Sequence, residues 1–307
     1  MLYDVIIIGS GPAGLTAAIY TVRAQLSVLV LEKEYMSGGQ MLNTYEVDNY
    51  PGLPGIGGFE LGVKFREHAE KLGVKFINIE VRHIAEEDDG RVKVLYTNSE
   101  EFRTRAVVLA MGATNNRLGV PGEKKLAGMG VSYCATCDGA FFKGQTVAVV
   151  GGGDVAAEDA LFLARGCEKV YLIHRREELR AARSLQGQLK KCENVEFLWN
   201  TEVTEIYGGE HVECLKIRNK KDGTQRSLNL EGVFIAIGTK PNTEIVTNLL
   251  QLDEKGYILA SEDGITDRPG FFAAGDIRKK PLRQIVTAVS DGANAISSVE
   301  AYLNETV

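Results

Sequence analysis

Cysteine is scarce in this chain of 307 residues: there are five, an odd number, scattered too widely for a secreted disulfide framework. Histidine is scarce too. The four histidines are not spaced to complete a zinc site with any cysteine pair, and zinc needs about four ligands. No run of Lys or Arg forms a basic stripe, and 35 basic against 41 acidic residues leave a net charge of -6. That balance excludes nucleic acid and an anionic membrane surface as natural partners. No apolar run reaches the ~18–20 residues that cross a bilayer. The apolar start, Val5 to Ile8, is too short for a signal peptide and lacks a basic n-region, so the cytoplasm is the expected location.

What is present is an ordinary globular composition, 44% hydrophobic and 25% charged. The length suits about two domains of ~150 residues, each large enough to bury a core without staples. Residues 3–9, YDVIIIG, read as a buried parallel strand. A glycine-rich turn follows, then a helix over 12–23 and a strand over 26–32 ending on Glu32. The Gly/Pro clusters between 37 and 58 predict a loop without regular structure. A helix is expected over 61–72, a strand over 74–81, and a hairpin over 91–97 and 101–110 leading into VVLAMGA.

The pattern then restarts: strand 146–150, a glycine turn, a helix to Ala164, strand 169–173, a hairpin within 211–230 and a strand over 232–238. Residues 1–112 and roughly 115–240 therefore share one plan. The remainder, with FFAAGDI at 271–277 and a terminal helix from Gln284, is too short for a domain. It is expected to return and complete the first one, which makes the second domain an insertion.

Gly9, Gly11 and Gly14 form a G-x-G-x-x-G fingerprint between a strand and a helix, with Pro12 and Ala13 opening the helix. Gly9 permits the tight turn, Gly11 lets backbone approach a pyrophosphate, and Gly14 lets the helix pack on the strand. The helix N-terminus offers N–H groups to phosphate. Glu32, 18 residues after Gly14, suits a ribose hydroxyl pair. Alone, the glycine pattern would be a structural turn; the strand, helix and acid around it favour a nucleotide.

Gly151, Gly152 and Gly153, with Asp154 and Ala156, form a second fingerprint. An NAD site would carry an acid about 20 residues on. Here that place holds His174, Arg175 and Arg176, with Arg180 one turn further. Guanidinium groups there pair with a 2′-phosphate; the alternative is the solvated basic face of a helix over 175–183.

Cys134-Ala-Thr-Cys137 has three readings: a redox disulfide, half of a zinc site, or a pair of inert thiols. With no second C-x-x-C in the chain, the redox reading is favoured. Asp138 beside it suits proton exchange with a leaving thiolate, or is simply a helix cap. Gly275-Asp276, ending an apolar run, suits a ribityl or ribose hydroxyl, or is a turn. Cys167, Cys192 and Cys214 read as incidental thiols.

GSGPAG at 9–14, CATCD at 134–138, GGGDVAAE at 151–158, HRREELR at 174–180 and FFAAGDIR at 271–278 occur in one order over nearly the whole chain. By these motifs the chain resembles the low-molecular-weight bacterial thioredoxin reductases. The resemblance implies an α/β fold of two Rossmann-like nucleotide-binding domains of the two-dinucleotide-binding-domain flavoprotein type, the second inserted in the first. The first, discontinuous domain would take FAD with residues 1–114 and 243–307. The second, residues 115–242, would take NADPH and carry the C-x-x-C.

Matching motif to motif, the resemblance implies FAD contacts from Gly11, Pro12, Ala13, Glu32, Gly39, Gln40, Asn49, Gly112, Asp276, Arg283, Gln284 and Ile285. It implies NADPH contacts from Gly152, Gly153, Asp154, Arg175, Arg176 and Arg180, and it implies a homodimer. Val155 departs from the usual serine and removes one hydroxyl from the phosphate cradle. Clostridial relatives that accept electrons from ferredoxin lose the G-x-G-x-x-A and HRRxxxR motifs, which this chain keeps. An N-terminal thioredoxin-like extension and a C-terminal thiol pair, features of other relatives, are not expected.

The implied chemistry passes electrons from NADPH through FAD to the Cys134–Cys137 disulfide and then to thioredoxin. Cys137 would face the flavin, Cys134 would attack thioredoxin, and Asp138 would carry the proton. Cys137 lies nine residues before the strand that opens the second fingerprint, so dithiol and nicotinamide site ride together and must take turns at one flavin. A hinge rotation at crossings near 114–119 and 239–244 is expected. The competing readings are another donor (NADH or ferredoxin), another thioredoxin-like acceptor, and a non-catalytic NADPH or redox sensor.

Overall fold

The structure is a computed structural model that describes residues 1–44 and 46–305. Residue 45, inside the expected loop, and the last two residues of the expected 243–307 segment lie outside the described residues. The chain begins with β1 (Leu2–Ile8), α1 (Pro12–Arg23), β2 (Val28–Glu32), α2 (Gly58–Lys71), β3 (Lys75–Asn78), β4 (His83–Glu87), β5 (Val92–Tyr96), β6 (Glu101–Leu109) and β7 (Ala113–Asn115). It continues with β8 (Val131–Ser132), α3 (Ala135–Asp138), β9 (Thr146–Gly151), α4 (Asp154–Ala164), β10 (Lys169–Ile173), α5 (Arg183–Leu189) and β11 (Val195–Leu198). After these come β12 (Thr201–Tyr207), β13 (Cys214–Asn219), β14 (Gln225–Asn229), β15 (Gly232–Ala236), β16 (Thr239–Pro241), β17 (Phe271–Ala273) and α6 (Ile285–Glu305).

These elements group into two units. One comprises Met1–Leu42, Ile56–Thr114 and Lys240–Val307; the other comprises Asn43–Gly55 and Asn115–Thr239. Segment 43–55 thus groups with the second unit, although its chain neighbours on both sides belong to the first. The two crossings, β7 and β16, pair as a two-stranded ribbon.

In the first unit the sheet runs β3-β2-β1-β6-β5-β4, with β17 also on β6. Strands β3, β2, β1 and β6 are parallel, with Val5 opposite Val28 and Ala106. β6 uses one edge twice: Glu101–Thr104 pairs antiparallel with β5, and Val107–Leu109 pairs parallel with β17. The second half of β1, Val5–Ile8, is apolar because both faces are covered there. Val5 and Ile7 enter one core with α1 and α6, while Ile6 and Ile8 enter the other. Full burial stabilises each such side chain by about 1.5–3 kcal/mol. α6 packs on α1 through Gly292, where a Cβ would lie 2.3 Å from the Ala13 carbonyl oxygen.

The second unit repeats the plan as a parallel sheet, β11-β10-β9-β15-β8. Val147 and Val149 face one core, Ala148 and Val150 the other. The expected hairpin is β13–β14, and β12 joins it antiparallel to make three strands.

Three local expectations change. Residues 39–43 form a 3-10 turn inside the expected loop. α2 starts at Gly58, three residues early, where Gly57 caps it. No helix covers 175–183, and the helix there is α5, from Arg183. The Arg180 N–H donates to the Gly152 carbonyl at 2.7 Å and the Asn200 N–H to the Arg176 carbonyl at 3.0 Å, so this segment is tied to its neighbours rather than coiled on itself.

Candidate active site

In the first unit, β1 delivers the chain to Gly9, whose φ of +101° and close approach to Ala110 exclude a side chain; a Cβ would lie 2.4 Å from the Ala110 oxygen. At Gly14 a Cβ would meet the Gly9 oxygen at 1.9 Å, so the third glycine serves the helix–strand contact. At Gly11 a Cβ would meet nothing within 4 Å, so the space beside the loop is open there. No side chain caps α1, and Pro12 occupies its first turn, which leaves the helix N-terminus suited to an anion.

Glu32 stands at the end of β2. Its Oε2 accepts from the Ser10 N–H at 2.7 Å and the Ser10 hydroxyl at 2.8 Å, and its Oε1 accepts from the Glu34 N–H at 2.9 Å. The carboxylate is thereby oriented, and Oε1 keeps acceptor capacity for a hydroxyl. Gly39 lies beside Gly11, and Gln40 donates to the Ala113 carbonyl. Asn242, which no motif signals, holds the turn around Gly112. Its side chain donates to the Met111 carbonyl at 2.8 Å and its N–H donates to the Gly112 carbonyl at 3.0 Å.

The last part of this cradle is the Gly275-Asp276 turn. A Cβ at Gly275 would lie 2.8 Å from the Ala13 side chain, so this turn sits against the start of α1. The Gly275 N–H donates to Asp291 on α6 at 2.9 Å. Asp276 Oδ1 and Arg283 Nε are both buried without a partner. Burial raises the Asp276 carboxyl, against the pull of Lys280 and Arg283. Two buried, partnerless polar atoms beside an open glycine loop fit a ligand with hydroxyls and a pyrophosphate, as FAD has. Gln284 and Ile285 follow at the start of α6. Asn49 is exposed and lies in the segment that groups with the second unit.

The second cradle differs in its support. A Cβ at Gly151 would meet the Ala236 oxygen at 2.3 Å, and one at Gly152 would meet the His174 ring at 2.1 Å; at Gly153 the space is open. His174 is therefore buried under the loop and holds it from below. Burial lowers its pKa, and the charges of Arg180 and Arg176 lower it further against the opposing Gly151 and Glu178 backbones, so the charged ring is disfavoured; its Nε2 is buried without a partner. Asp154 accepts the Ala182 N–H at 2.7 Å and so bolts the arginine segment to α4. Arg175, Arg176 and Arg180 are exposed, and among the described residues no ion pair engages them. Unneutralised guanidinium groups beside open glycines fit a phosphorylated dinucleotide. Val155 is exposed beside them.

Cys134 and Cys137 are joined as a disulfide, with their Cα atoms 5.3 Å apart. Paired with each other, the two sulfurs are not a zinc site. α3 begins after Cys134, and the N–H groups of Cys137 and Asp138 return to its carbonyl at 3.2 and 3.1 Å. Gly139 lets this turn lie on α4, since a Cβ there would meet Leu163 and Phe162 at 2.9 and 3.0 Å.

Ser132, which sequence reasoning missed, organises the turn. Its hydroxyl donates to Asp138 Oδ2 at 2.5 Å and accepts the Cys134 N–H at 3.1 Å. Asp138 Oδ1 is buried without a partner. Burial raises the Asp138 carboxyl, and the Ser132 bond only partly offsets it. The group is thus able to hold a proton next to a sulfur that must gain or lose one. Phe141, two residues beyond Gly139 in the chain, is 38% exposed. By contrast, burial pushes the Cys167 thiol up to about 11, which makes it a poor nucleophile.

The model of the pyridine nucleotide-disulphide oxidoreductase family matches residues 3–292. The chain belongs to that family. It is 48% identical over 309 residues to a thioredoxin reductase of Bacillus subtilis, covering 99% of this chain and 96% of the relative. The solved thioredoxin reductase of Streptococcus pyogenes is 44% identical, with a TM-score of 0.94 and 99% of both chains covered. That of Lactococcus lactis, solved in an "FR conformation", is 43% identical with a TM-score of 0.67, again over 99% of both. The parallel strands of the two sheets and their glycine turns are the two Rossmann-like folds of these oxidoreductases.

Proposed function

We propose that this chain is an NADPH-dependent flavoenzyme that reduces the disulfide of thioredoxin. The observation that carries the reading is the Cys134–Cys137 disulfide beside a buried, partnerless Asp138 oxygen, on the same unit as the arginine-lined cradle. Bound FAD and NADPH supply the hydride and electron transfer that no side chain here can perform.

The chain's own residues bind, orient and move protons. Gly9, Gly11 and Gly14 admit the FAD pyrophosphate to α1, and Glu32 takes a ribose. Gly39, Gln40, Asn49, Gly112, Gln284 and Ile285 supply further contacts, and Asp276 and Arg283 meet the polar middle of the cofactor. Gly151, Gly152, Gly153 and Asp154 form the NADPH pyrophosphate loop with His174 beneath it, and Arg175, Arg176 and Arg180 select the 2′-phosphate. Once the disulfide is reduced, the Cys134 thiolate attacks one sulfur of the thioredoxin disulfide, and the departing thioredoxin thiolate takes a proton. Cys137 then attacks Cys134 in the mixed disulfide, which releases reduced thioredoxin and restores the Cys134–Cys137 bond. Asp138 supplies and recovers the proton.

The same reading makes residues 115–242 an inserted, rotating domain. Gly112, Gly119 and Gly238 flank the crossings with positive φ, a backbone state that suits a hinge. The TM-scores of 0.94 and 0.67 at nearly equal identity support a family that takes more than one arrangement. It also makes the enzyme a cytoplasmic homodimer; the free thiols Cys167, Cys192 and Cys214 suit a reducing compartment.

The test is the loss of nicotinamide absorbance when the protein meets NADPH and oxidised thioredoxin, with NADH and reduced ferredoxin as parallel donors. Many turnovers with NADPH are expected. A single turnover marks a sensor, and turnover with ferredoxin alone marks the wrong donor.

A further inference from the structure

One buried carboxylate has no part in the site described so far. Glu123 is 3% exposed. No ion pair reaches it among the described residues; three hydrogen-bond donors converge on it instead. Its Oε2 accepts the Gly119 N–H at 2.7 Å. Its Oε1 accepts the Leu118 N–H at 3.1 Å and the Tyr133 hydroxyl at 2.8 Å. Such a set satisfies a buried carboxylate, and it also joins three stretches of chain.

The anchor itself is fixed. Glu123 closes the turn Val120-Pro121-Gly122, and the Ile206 N–H of β12 donates to the Pro121 carbonyl at 2.9 Å. A Cβ at Gly122 would lie 1.7 Å from the Ile206 oxygen, so only glycine lets the turn sit this close. From that anchor Oε2 holds Gly119, at the end of the crossing, while Oε1 holds Leu118. The same Oε1 also holds Tyr133, whose neighbour in the chain is Cys134. Beyond it the bonds continue: the Cys134 N–H to Ser132, and Ser132 to Asp138.

We propose that Glu123 is a positioning residue for the dithiol, acting through Tyr133: it fixes the crossing and the backbone of Cys134 to one another. The proposal rests on the disulfide-reductase reading above. Tyrosine rather than phenylalanine is required at 133, because only the hydroxyl fills the third acceptor site of a carboxylate cut off from water. Glutamine at 123, with its amide oxygen in the Oε1 place, keeps an acceptor for Tyr133 and Leu118 but turns an N–H₂ toward the Gly119 N–H, so it breaks the Gly119 contact alone. The Tyr133 and Gly119 contacts are therefore separable by Tyr133→Phe and Glu123→Gln.

The experiment uses the holoenzyme and three rates: flavin reduction by NADPH in a single turnover, thioredoxin reduction, and reduction of a nitrobenzoate disulfide as a small probe. Y133F and E123Q are each expected to slow thioredoxin reduction about tenfold, the size of a lost bond to a charged acceptor. Flavin reduction should stay within about twofold, and the double variant should be no slower than the slower single one, as coupled residues require. Y133F keeps the ring and guards against misfolding in E123Q. The proposal is overturned if Y133F reduces thioredoxin within about twofold of wild type, if flavin reduction falls in step with it, or if the two losses multiply. Wild type that reduces the small probe but not thioredoxin counts against the proposed acceptor instead, and the variants are then compared on the probe.

Discussion

Asp291 is the residue on which the first cradle depends, and its removal is expected to be severe. Its carboxylate accepts four hydrogen bonds: Arg278 Nε at 2.8 Å, an Arg278 terminal nitrogen at 2.8 Å, Lys280 Nζ at 2.8 Å and the Gly275 N–H at 2.9 Å. The Arg278, Lys280 and Asp291 side chains are 3%, 3% and 5% exposed. Glu262, the other partner of Arg278, is 82% exposed and screened by water. Asp291→Ala therefore strands two buried cations and a backbone donor. Breaking a buried pair from one side costs about 3–5 kcal/mol. At roughly 2–4 °C per kcal/mol for a body of 150–250 residues, the melting point should fall by about 6–20 °C.

The pH dependence of stability follows from the same carboxylate. Burial alone would raise the Asp291 pKa, but hydrogen bonds and charge from Arg278 and Lys280 outweigh it and hold the carboxyl below its ordinary value. A depressed folded pKa contributes stability that is fully present above the unfolded value of about 3.9 and is lost as pH falls through the folded one. Asp291→Asn should flatten that acid limb while keeping the shape. Thermal melts across pH, read with the fluorescence of released flavin, measure both effects. A D291A variant within about 1 kcal/mol of wild type, with flavin still held, refutes the reasoning.

Three further outcomes are expected. Arg176→Ala and Arg180→Ala should each raise KM for NADPH by about tenfold or more, the size of a lost charge-assisted bond, while KM for NADH barely moves; steady-state rates with both donors decide this. Asp138→Asn should slow the disulfide step by about 10²–10⁴-fold. Because burial raises the Asp138 carboxyl, the wild-type rate should fall as pH rises through that raised value and the variant should lose the limb, as rapid-mixing kinetics across pH would show. A cross-link between the two crossings, β7 and β16, should abolish multiple turnover with thioredoxin; undiminished turnover would remove the hinge.

Elements set by local pattern were legible in the sequence. β1 was, because four consecutive apolar residues serve two cores, and the two glycine turns were, because Gly9, Gly14 and Gly151 sit where a Cβ would strike backbone. The segment 175–182 was not, because its basic residues resemble a helical face while its backbone bonds go to Gly152 and Asn200. Two-residue β8 was equally hidden; it is a strand only because Val131 and Ser132 lie along Val233 and Phe234 of β15.

The site shows the same division. The candidate residues that sequence singles out, Cys134, Cys137, Asp138 and the arginines, sit in short motifs. Residues that hold those groups in place do not. Glu123, Ser132, Asn242 and Asp291 are common residue types, and three of them act on segments that only folding brings near. Asp291 is sixteen residues from Gly275, Asn242 is 131 from Met111, and Tyr133 is ten from Glu123. His174 is the instructive case. Its place in the HRR motif makes it a candidate nucleotide contact, and its ring also lies against Gly152, where burial disfavours the charged form. A motif residue can thus be required by the loop itself. His174→Ala should accordingly loosen the Gly152 turn and weaken NADPH and NADH alike, whereas loss of Arg176 or Arg180 should weaken NADPH alone.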